Sequence, residues 1–581
     1  MRFGAASWAC VILGFVLRAG GQDSFNLEVK FSAPALGGIF TNTAGQPVKV
    51  SRLDFLVADF SLHQRGGEWR RVGEEVHFVE MLGKARPFKA SVAAGEYDQV
   101  RFLIGLRPKL NHAEASGFPA GHALNPGVNG LHWGWSGGYV FLALEGHWNG
   151  SEGFSYHLAN DAQLMRVEQP LRLSARAGES RGLEVELDIA AIIPGRMTSG
   201  NSSTHSRVGD PVAMELKGRV EKAVRVRVVD LPKSGPASQG EMRPEITERV
   251  PYRFTFPASF PRPELPRDNP LTEVGVELGR RLFEERRLSI NNSQSCASCH
   301  RSTAAFSDAG KRFSTGAEGV TGTRNAMGLF NLAWKQSFFW DGRAASLREQ
   351  VLQPIGNPVE MHESMDRVVG KIRDYAPQFS AAFGSPEIVA DRIARALEQF
   401  LLSEISGDSK FDRSLEGRAE LSAEERRGFE LFVTEFDPRR GQRGADCFHC
   451  HGGALFSNRG FANNGLPIRA GDVGRLAVTG KENDRGLFAV PSLRNVAVTG
   501  PYMHDGRFAT LEEVVEHYNS GVSRSETLDP NLAKHPDSGL GLDEADRRAL
   551  VAFLKTLTDA RFEAKFPTTQ ILSHMGQNLG R

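Results

Sequence analysis

The sequence predicts a multidomain protein in which an N-terminal all-β sandwich is followed by a mainly α-helical, two-lobed half. Three observations support this prediction. Short alternating apolar segments fill the first 230 or so residues, nine prolines lie between Leu231 and Pro270, and apolar residues recur at helical spacing after them. A chain of 581 residues is also too long for one core, since domains average about 150 residues.

The β half, residues 22–230, is predicted from alternating or β-branched segments that are separated by Gly, Pro and Asn turns. Many short strands with such turns favour a sandwich. The predicted strands are Phe25–Phe31, Val48–Leu62, Val76–Met81, Val100–Leu106, Tyr139–Leu144 and Leu183–Ile193.

The proline-rich stretch is interpreted as an extended linker over residues 231–264. Beyond it, Asn269 and Pro270 are typical of an N-cap and a first helical position. The predicted helices are Leu271–Arg287, Ile388–Leu402, Ala423–Val433, Leu511–Tyr518 and Glu544–Leu557. We divide this half into lobes of similar size, residues 265–420 and 421–581.

Each lobe contains one Cys-x-x-Cys pair that is followed directly by histidine. The motifs are Cys296-Ala-Ser-Cys299-His300 and Cys447-Phe-His-Cys450-His451. This pentapeptide is the attachment signal for c-type haem, because the two thiols add to the haem vinyl groups and the adjacent imidazole reaches the iron. A four-cysteine zinc site and a pair of dithiol redox motifs are the alternatives, but neither requires a histidine after each pair. The sequence therefore predicts two covalently bound c-type haems with axial ligands His300 and His451.

Residues 1–21 are typical of a Sec-type signal peptide. Arg2 precedes the apolar run Ala5–Leu17, and the small residues 19–21 follow. Its removal leaves four of the five cysteines, all in the haem motifs. A membrane anchor is the alternative, but the run is short for a span of roughly 20 residues. We expect an exported, periplasmic protein with no membrane span after cleavage.

The formal net charge is only +1, and the basic residues form no long block. Nucleic-acid and anionic-membrane binding both depend on concentrated positive charge. The composition therefore gives no support for a nucleic-acid partner or for a membrane surface.

The helical half resembles the bacterial di-haem cytochrome c peroxidase family, and in particular its MauG-like and MbnH-like branch. The resemblance covers about residues 260–570 and implies two cytochrome c-like lobes whose haems face a shared interface. The motifs that carry it are Asp268-Asn-Pro-Leu-Thr272, Leu288-Ser289, Arg324-Asn-Ala326, Phe339-Trp-Asp-Gly-Arg-Ala344, Val359-Glu-Met361, Pro491-Ser-Leu-Arg-Asn-Val496 and Thr499-Gly-Pro-Tyr-Met-His-Asp-Gly506.

This resemblance implies catalytic roles for four residues. Trp340 would lie between the haems and relay electrons, although core packing is an alternative role. Glu360 would be the distal carboxylate that moves a proton between the peroxide oxygens; a solvated surface glutamate is the alternative. Gln350 and Pro354 would shape the open face of the first haem.

The resemblance also makes the two haems unequal. Tyr518 stands where typical peroxidases of the family have a methionine ligand on the second haem, with His517 and Met503 as rival ligands. An anionic oxygen ligand stabilises ferric and higher states. No histidine lies between Arg301 and Phe339, where the family usually has a distal ligand, and Met327 is the one obvious substitute. The first haem is therefore expected to be open.

A calcium ion between the haems is also implied by the resemblance. Asn325, Thr499 and Pro501 match the family's calcium positions. One side-chain oxygen and two backbone carbonyls suit a hard cation.

The β half resembles the MbnP family of periplasmic copper-binding proteins over roughly residues 24–230. The matching segments are Gly130-Leu-His-Trp-Gly-Trp-Ser-Gly-Gly-Tyr139, Leu144-Glu-Gly146 and Phe154-Ser-Tyr-His-Leu158. Leu131 stands where relatives often have methionine, so the copper ligands stay open. The candidates are His63, His132 and His157, since neutral imidazole suits copper, although a strand histidine is more often structural.

Related proteins form their copper site only after a tryptophan is oxidised, and Trp133 and Trp135 are the candidates here. The resemblance thus predicts a hydrogen-peroxide-dependent oxidase whose high-valent di-haem state oxidises a tryptophan of the fused copper-binding domain. One alternative is a conventional cytochrome c peroxidase with a donor cytochrome. Another is a copper-binding protein whose haem half only transfers electrons, with a copper protein as a further candidate partner.

Overall fold

The computed structural model describes residues 24–82, 87–114, 117–119, 121–133, 138–229, 231, 250–437 and 442–563. The predicted signal peptide, most of the proline-rich stretch and Trp135 lie outside these residues. Within the part of the chain that the structure describes, no helix combines the length and the apolar character that crossing a membrane requires.

The N-terminal half consists mainly of β-strands, as the alternating segments predict. Its strands are β1 Ser24–Ser32, β2 Ile39–Thr41, β3 Pro47–Gln64, β4 Trp69–Arg71, β5 Val76–Glu80, β6 Phe88–Ala93, β7 Gly95–Ile104, β8 His132–Trp133, β9 Gly138–Trp148, β10 Glu152–Ala159, β11 Met165–Ala175, β12 Ser180–Leu187, β13 Ser203–Thr204 and β14 Val224–Val229. The α-helices among the described residues of this half are α1 Pro108–Asn111, α2 Pro126–Asn129, α3 Ile189–Ile192 and α4 Pro211–Ala223.

These strands form two sheets that face each other. The smaller sheet has the order β14-β12-β1-β6, and the larger one has the path β11-β7-β3-β9-β10-β13 with short strands attached to β3 and β9. Alternate residues of β1 are buried, which turns Phe25 and Phe31 toward the larger sheet. There Phe31 packs edge-on against Phe55, with the ring centroids 5.6 Å apart, and Phe25 packs against Tyr97. The predicted sandwich is confirmed.

One predicted strand is partly wrong. Leu183–Ile193 was expected to be extended throughout, but β12 ends at Leu187 and α3 follows. Asp188 is the reason, because its carboxylate accepts a hydrogen bond from the Ala191 backbone N–H and caps the short helix.

The C-terminal half is mainly helical. Its helices are α5 Glu273–Glu284, α6 Cys296–Cys299, α7 Leu347–Gly356, α8 Met365–Lys371, α9 Ala376–Phe383, α10 Ala390–Ser403, α11 Lys410–Leu415, α12 Ala423–Val433, α13 Phe448–His451, α14 Leu476–Thr479, α15 Leu511–Glu516, α16 Pro530–Ala533, α17 Glu544–Lys555 and α18 Ala560–Glu563. Two short ribbons pair β15 Phe436–Asp437 with β16 Gln442–Arg443 and β17 Phe461–Ala462 with β18 Phe488–Ala489.

The two lobes share one way of crossing their long helices. In the first lobe, α5 crosses α10 at Gly279, where a Cβ would collide with the Ala396 carbonyl and the Cβ of Phe400. In the second lobe, α12 crosses α17 at Gly428, where a Cβ would collide with the Ala549 carbonyl and the Cβ of Phe553. Each close approach thus needs a glycine opposite a residue pair four positions apart.

The predicted start of α5 is wrong. The helix begins at Glu273, and the Thr272 hydroxyl accepts the Gly275 N–H as its cap. The Asn269 side chain instead donates to Glu398 Oε2 at 2.7 Å, which ties this segment to α10. A tertiary contact therefore uses the amide that the sequence pattern assigned to a cap.

The β half packs against the second lobe through β10. A Cβ at Gly153 would collide with the Pro530 carbonyl of α16, so the two backbones lie in direct contact. Nearby, His147 Nε2 lies 2.7 Å from the Leu528 carbonyl oxygen. This junction positions one edge of the sandwich beside the second haem motif.

Candidate functional site

The first Cys-x-x-Cys-His motif forms the single turn α6. Ser295 and Ser298 cap its start reciprocally, and His300 follows its end. His300 Nδ1 lies 2.8 Å from the Phe306 carbonyl oxygen. A proximal histidine is held in this way, because the backbone carbonyl fixes the ring and leaves Nε2 for a metal.

The second motif is built similarly around α13. His451 Nδ1 lies 3.2 Å from the Phe456 carbonyl oxygen, and the Asn458 backbone N–H donates to the Cys450 carbonyl at 2.7 Å. In both motifs the histidine Nδ1 therefore contacts a backbone carbonyl of the segment that follows.

A cavity of about 650 Å³ opens beside the first motif. Its lining fits a covalently attached haem, since the two thiols and the imidazole face one side of a largely apolar space. The predicted site residues on this lining are Cys296, Cys299, His300, Trp340, Gln350, Pro354 and Glu360. The structure thus brings together the residues that the family resemblance grouped.

Glu360 is the titratable candidate in this cavity. Burial raises the pKa of its carboxyl, while the Asn357 amide, which donates to Oε2 at 2.9 Å, and the charge of Arg343 lower it. A carboxyl in this setting exchanges a proton more readily near neutral pH than an exposed one does.

Trp340 lies between the two lobes. It lines the first cavity and also a second, smaller cavity that Pro491 and Tyr502 of the second lobe help to line. Its indole N–H donates to the Asn325 carbonyl at 2.8 Å, and its own carbonyl accepts from the Ala489 N–H at 2.7 Å. These bonds hold the ring at the interface.

The three candidate ligands of the second haem, Tyr518, Met503 and His517, all lie next to Asn464. The Asn464 amide lies 3.5 Å from the Tyr518 hydroxyl and 3.3 Å from Met503 Sδ, whereas His517 Nε2 lies 2.9 Å from the Asn464 carbonyl oxygen. Burial raises the pKa of Tyr518, and the sulfurs of the second haem motif are among the neighbouring groups that contribute. Tyr518 lies on a π-helical turn, a feature that often marks functional sites.

The predicted calcium positions share the smaller cavity. Asn325, Thr499 and Pro501 all line it, together with Met327 and Met503. These positions offer neutral oxygens only, and no Asp or Glu is among the residues that line the cavity. A calcium ion there would be held by carbonyl and amide dipoles rather than by carboxylate charge.

The three predicted copper ligands lie in different surroundings. His63 lies on β3, and its Nδ1 is 2.6 Å from Asp98 Oδ1. His132 packs edge-on against Tyr139, and burial lowers its pKa to about 4. His157 is buried on β10 with Nε2 2.7 Å from Glu145 Oε1, and burial lowers its pKa to about 4 against the effect of that hydrogen bond.

The structure brings His157 together with two histidines that the sequence prediction missed. One nitrogen from each of His157, His205 and His449 lies within 4.8 Å of the others. Among the described residues, this is the one group of three or more His, Cys, Asp or Glu side chains close enough to share an ion, and it omits His63 and His132. His449 lies between the cysteines of a haem motif, where spacer residues carry no ligand signal.

The structure describes one of the two tryptophans that we predict to be oxidised. Trp133 lies on β8, where its backbone pairs with Gly138 of β9. The helix just before it, α2, contacts the second lobe, because the Arg459 guanidinium donates to the Pro126 carbonyl. Trp135 lies outside the described residues.

Comparison with known proteins matches both halves. The family model for di-haem cytochrome c peroxidase matches residues 273–420, and the MbnP model matches residues 11–208. The methylamine utilization protein MauG of Methylorubrum extorquens is 39% identical over 313 residues, which cover 52% of this chain and 83% of MauG. The cytochrome c551 peroxidase of Nitrosomonas europaea is 36% identical over 300 residues, covering 50% of this chain and 82% of the relative.

Two solved structures are similar to parts of this chain. A MauG-like protein associated with microbial copper homeostasis is 33% identical, with a TM-score of 0.48, and the match covers 54% of this chain and 98% of that one. MbnP from Methylosinus trichosporium is 13% identical, with a TM-score of 0.28, and the match covers 36% of this chain and 99% of that one.

Proposed function

Because this chain belongs to the di-haem cytochrome c peroxidase family, it is a peroxidase-type oxidoreductase, and we propose that it uses hydrogen peroxide to oxidise a tryptophan of its own β half. One observation carries the proposal. Arg459 contacts Pro126, a few residues before Trp133, while the adjacent Asn458 donates its backbone N–H to the Cys450 carbonyl. The helix that precedes Trp133 and the second haem motif thus both contact the segment Asn458–Arg459.

The chain's own residues would divide the work at the first site. Cys296, Cys299 and His300 would hold the first haem, and when bound the haems supply two-electron chemistry with peroxide. Glu360 would take a proton from one peroxide oxygen and return it to the other, so that the departing oxygen leaves as water. Such acid–base assistance is typically worth about 10²–10⁴ in rate.

Trp340 would connect this chemistry to the second lobe. Its indole lines both cavities and is fixed by the hydrogen bond to the Asn325 carbonyl. The two electrons that reduce peroxide to two water molecules would come from the target tryptophan, which takes its added oxygen atom from water and releases the two protons that the reduction consumes. Tyr518 would serve as the second haem's oxygen ligand, which stabilises oxidised iron.

We also propose supporting roles for calcium and for export. Asn325, Thr499 and Pro501 would hold a calcium ion that fixes the interface beside Trp340. The protein would act in the periplasm, because all four cysteines after residue 21 lie in the haem motifs and c-type haem is attached outside the cytoplasm in bacteria.

Peptide mapping tests the proposal directly. Peroxide is added to the ferric protein with both haems loaded, and digests are analysed by mass spectrometry. We expect oxygen-bearing masses on the peptide that contains Trp133 and Trp135, with Trp69 and Trp148 unmodified as internal controls. Unmodified Trp133 and Trp135, or equal oxidation of all four, would count against the proposal.

A matched variant tests whether electrons pass through Trp340. Trp340→Phe keeps an aromatic ring at the interface but is harder to oxidise and lacks the indole N–H. We expect it to consume peroxide while leaving Trp133 and Trp135 unmodified. Full oxidation of either tryptophan in this variant would exclude Trp340 as the relay.

Similarity to the cytochrome c551 peroxidase favours a second candidate, reduction of peroxide with electrons from a donor cytochrome. This alternative requires prior one-electron reduction of the protein and rapid turnover with the donor. Steady-state assays of the ferric and half-reduced protein, with and without a small reduced cytochrome, distinguish the two functions.

A further inference from the structure

Three histidines from separate segments meet where the β half joins the second lobe. His157 lies on β10, His205 directly follows β13, and His449 lies between the cysteines of the second haem motif. Their ring centroids are 4.6 to 5.4 Å apart, and one nitrogen from each lies within 4.8 Å of the others. Two side chains thus come from the β half and one from the haem half.

A carboxylate orients each imidazole. Glu145 Oε1 lies 2.7 Å from His157 Nε2, and Glu435 Oε2 lies 2.8 Å from His205 Nδ1. The third partner is Asp446, whose Oδ1 lies 3.4 Å from His449 Nε2.

These contacts occupy one nitrogen of each ring, and Lys534 Nζ also lies 3.4 Å from His449 Nε2. Nδ1 of His157 and Nδ1 of His449 are buried and make no hydrogen bond to any residue that the structure describes. Since Nδ1 of His205 faces Glu435, Nε2 would be its ligand atom. Metal-binding histidines almost always have such a carboxylate or carbonyl on the non-ligating nitrogen.

The charges around the cluster favour a bound cation. Three carboxylates, Glu145, Glu435 and Asp446, face two permanent cations. Arg52 Nη1 lies 2.9 Å from Glu145, and Lys534 Nζ lies 3.0 Å from Glu435 and 3.2 Å from Asp446. Because Arg52 also pairs with Asp54, the carboxylates outnumber the permanent cations in a buried setting, where uncompensated charge is costly.

We propose that His157, His205 and His449 form a transition-metal site that joins the β half to the second haem lobe. Three neutral imidazoles suit ions at the copper and zinc end of the first-row series. For a given set of nitrogen ligands the affinity for divalent copper exceeds that for zinc, so copper is the expected ion. The inference is independent of the proposed tryptophan oxidation, because the site is complete without peroxide chemistry.

Metal counting tests the site. The full-length protein with both haems loaded is treated with a chelator, incubated with a copper or zinc salt, desalted and analysed by inductively coupled plasma mass spectrometry. We expect one bound copper per chain in the wild type, none in His205→Gln, and full binding in the matched controls His63→Gln and His132→Gln. Copper retained by H205Q, or lost in either control, would overturn the proposal, as would preferential loading with zinc.

Two further measurements keep the test decisive if H205Q folds poorly. Glu435→Gln leaves the three ligands in place but removes one orienting carboxylate, so copper affinity is expected to fall by about 10–100-fold. In the wild type, copper should raise the thermal unfolding temperature, because it binds the folded junction. Unchanged affinity in E435Q, or an unfolding temperature that copper does not raise, would contradict the site.

Discussion

The two haem lobes cross their helices in the same way, yet their haem motifs face different surroundings. In the first lobe, the motif opens onto a cavity of about 650 Å³ that Glu360 and Gln350 also line. In the second lobe, Tyr518 is half-buried near the motif, and β10 of the β half packs on the neighbouring α16. The shared fold therefore supports an open reaction site in one lobe and a covered, interface-forming site in the other.

The charged groups beside the two haem motifs also differ between the lobes. The nearest hydrogen-bond partner of the Glu360 carboxylate is a neutral amide, Asn357, which leaves the carboxyl able to change protonation. Beside the second motif, Lys534 bridges Glu435 and Asp446, and this pairing holds both carboxylates ionised. The first lobe therefore holds a carboxyl that can change protonation, and the second holds fixed charge.

Replacing Glu360 with Gln should have the largest effect on this contrast. The amide keeps the shape but neither takes up nor returns the proton, so we expect the reaction with peroxide to slow by about 10²–10⁴-fold in stopped-flow spectroscopy. Glu387→Gln is the matched control, since its exposed carboxylate lies away from the cavity. A rate within twofold of wild type for E360Q would remove the distinction between an acid–base lobe and a relay lobe.

The pH profile sharpens the same test. Burial raises the pKa of Glu360, and the proton-accepting form is the carboxylate, so the wild-type rate should fall as pH drops through a pKa above 4.5. Below that pKa, the loss approaches about tenfold per pH unit. The rate of E360Q should show no such step, and an identical step in both proteins would assign it to another group.

Replacing Tyr518 with Met should change the second lobe alone. Methionine favours reduced iron relative to an oxygen ligand, so the potential of the second haem is expected to rise by an amount on the order of 0.1 V, measured by spectroelectrochemistry. Met503→Leu is the control, because Met503 meets Tyr518 at the Asn464 amide. A shift in M503L but not in Y518M would identify Met503 as the ligand instead.

The sequence was most informative where the signal is local. The strand alternation of β1 and the helical periodicity of α12 each lie within one short segment, and both predictions match the structure. The predicted start of α5 is wrong because the Asn269 side chain makes a tertiary contact with Glu398 instead of capping the helix. Local patterns therefore predicted the elements better than their exact ends.

The histidine cluster shows what local patterns miss. His157 was a copper candidate because it lies in a segment that resembles the MbnP family, but His205 has no motif, and His449 lies inside a motif that assigns it no role. They meet only because β10 packs on the second lobe, a docking that no single segment encodes. A site between two halves therefore requires the tertiary structure.

Replacing Gly153 with Ala should have the smallest effect and tests that docking. The added Cβ would meet the Pro530 carbonyl and lie 2.8 Å from the Lys534 backbone nitrogen, and backbone atoms yield little. Overpacking of this kind typically costs about 1–3 kcal/mol, which denaturant unfolding would measure as a loss of stability. Gly218→Ala on α4 is the control, because no atom lies within 4 Å of its added Cβ and alanine favours a helix interior by about 0.5–1 kcal/mol. If G153A is as stable as G218A, the close contact between β10 and α16 does not hold the β half on the second lobe, and the two lobes would differ only in their haem pockets.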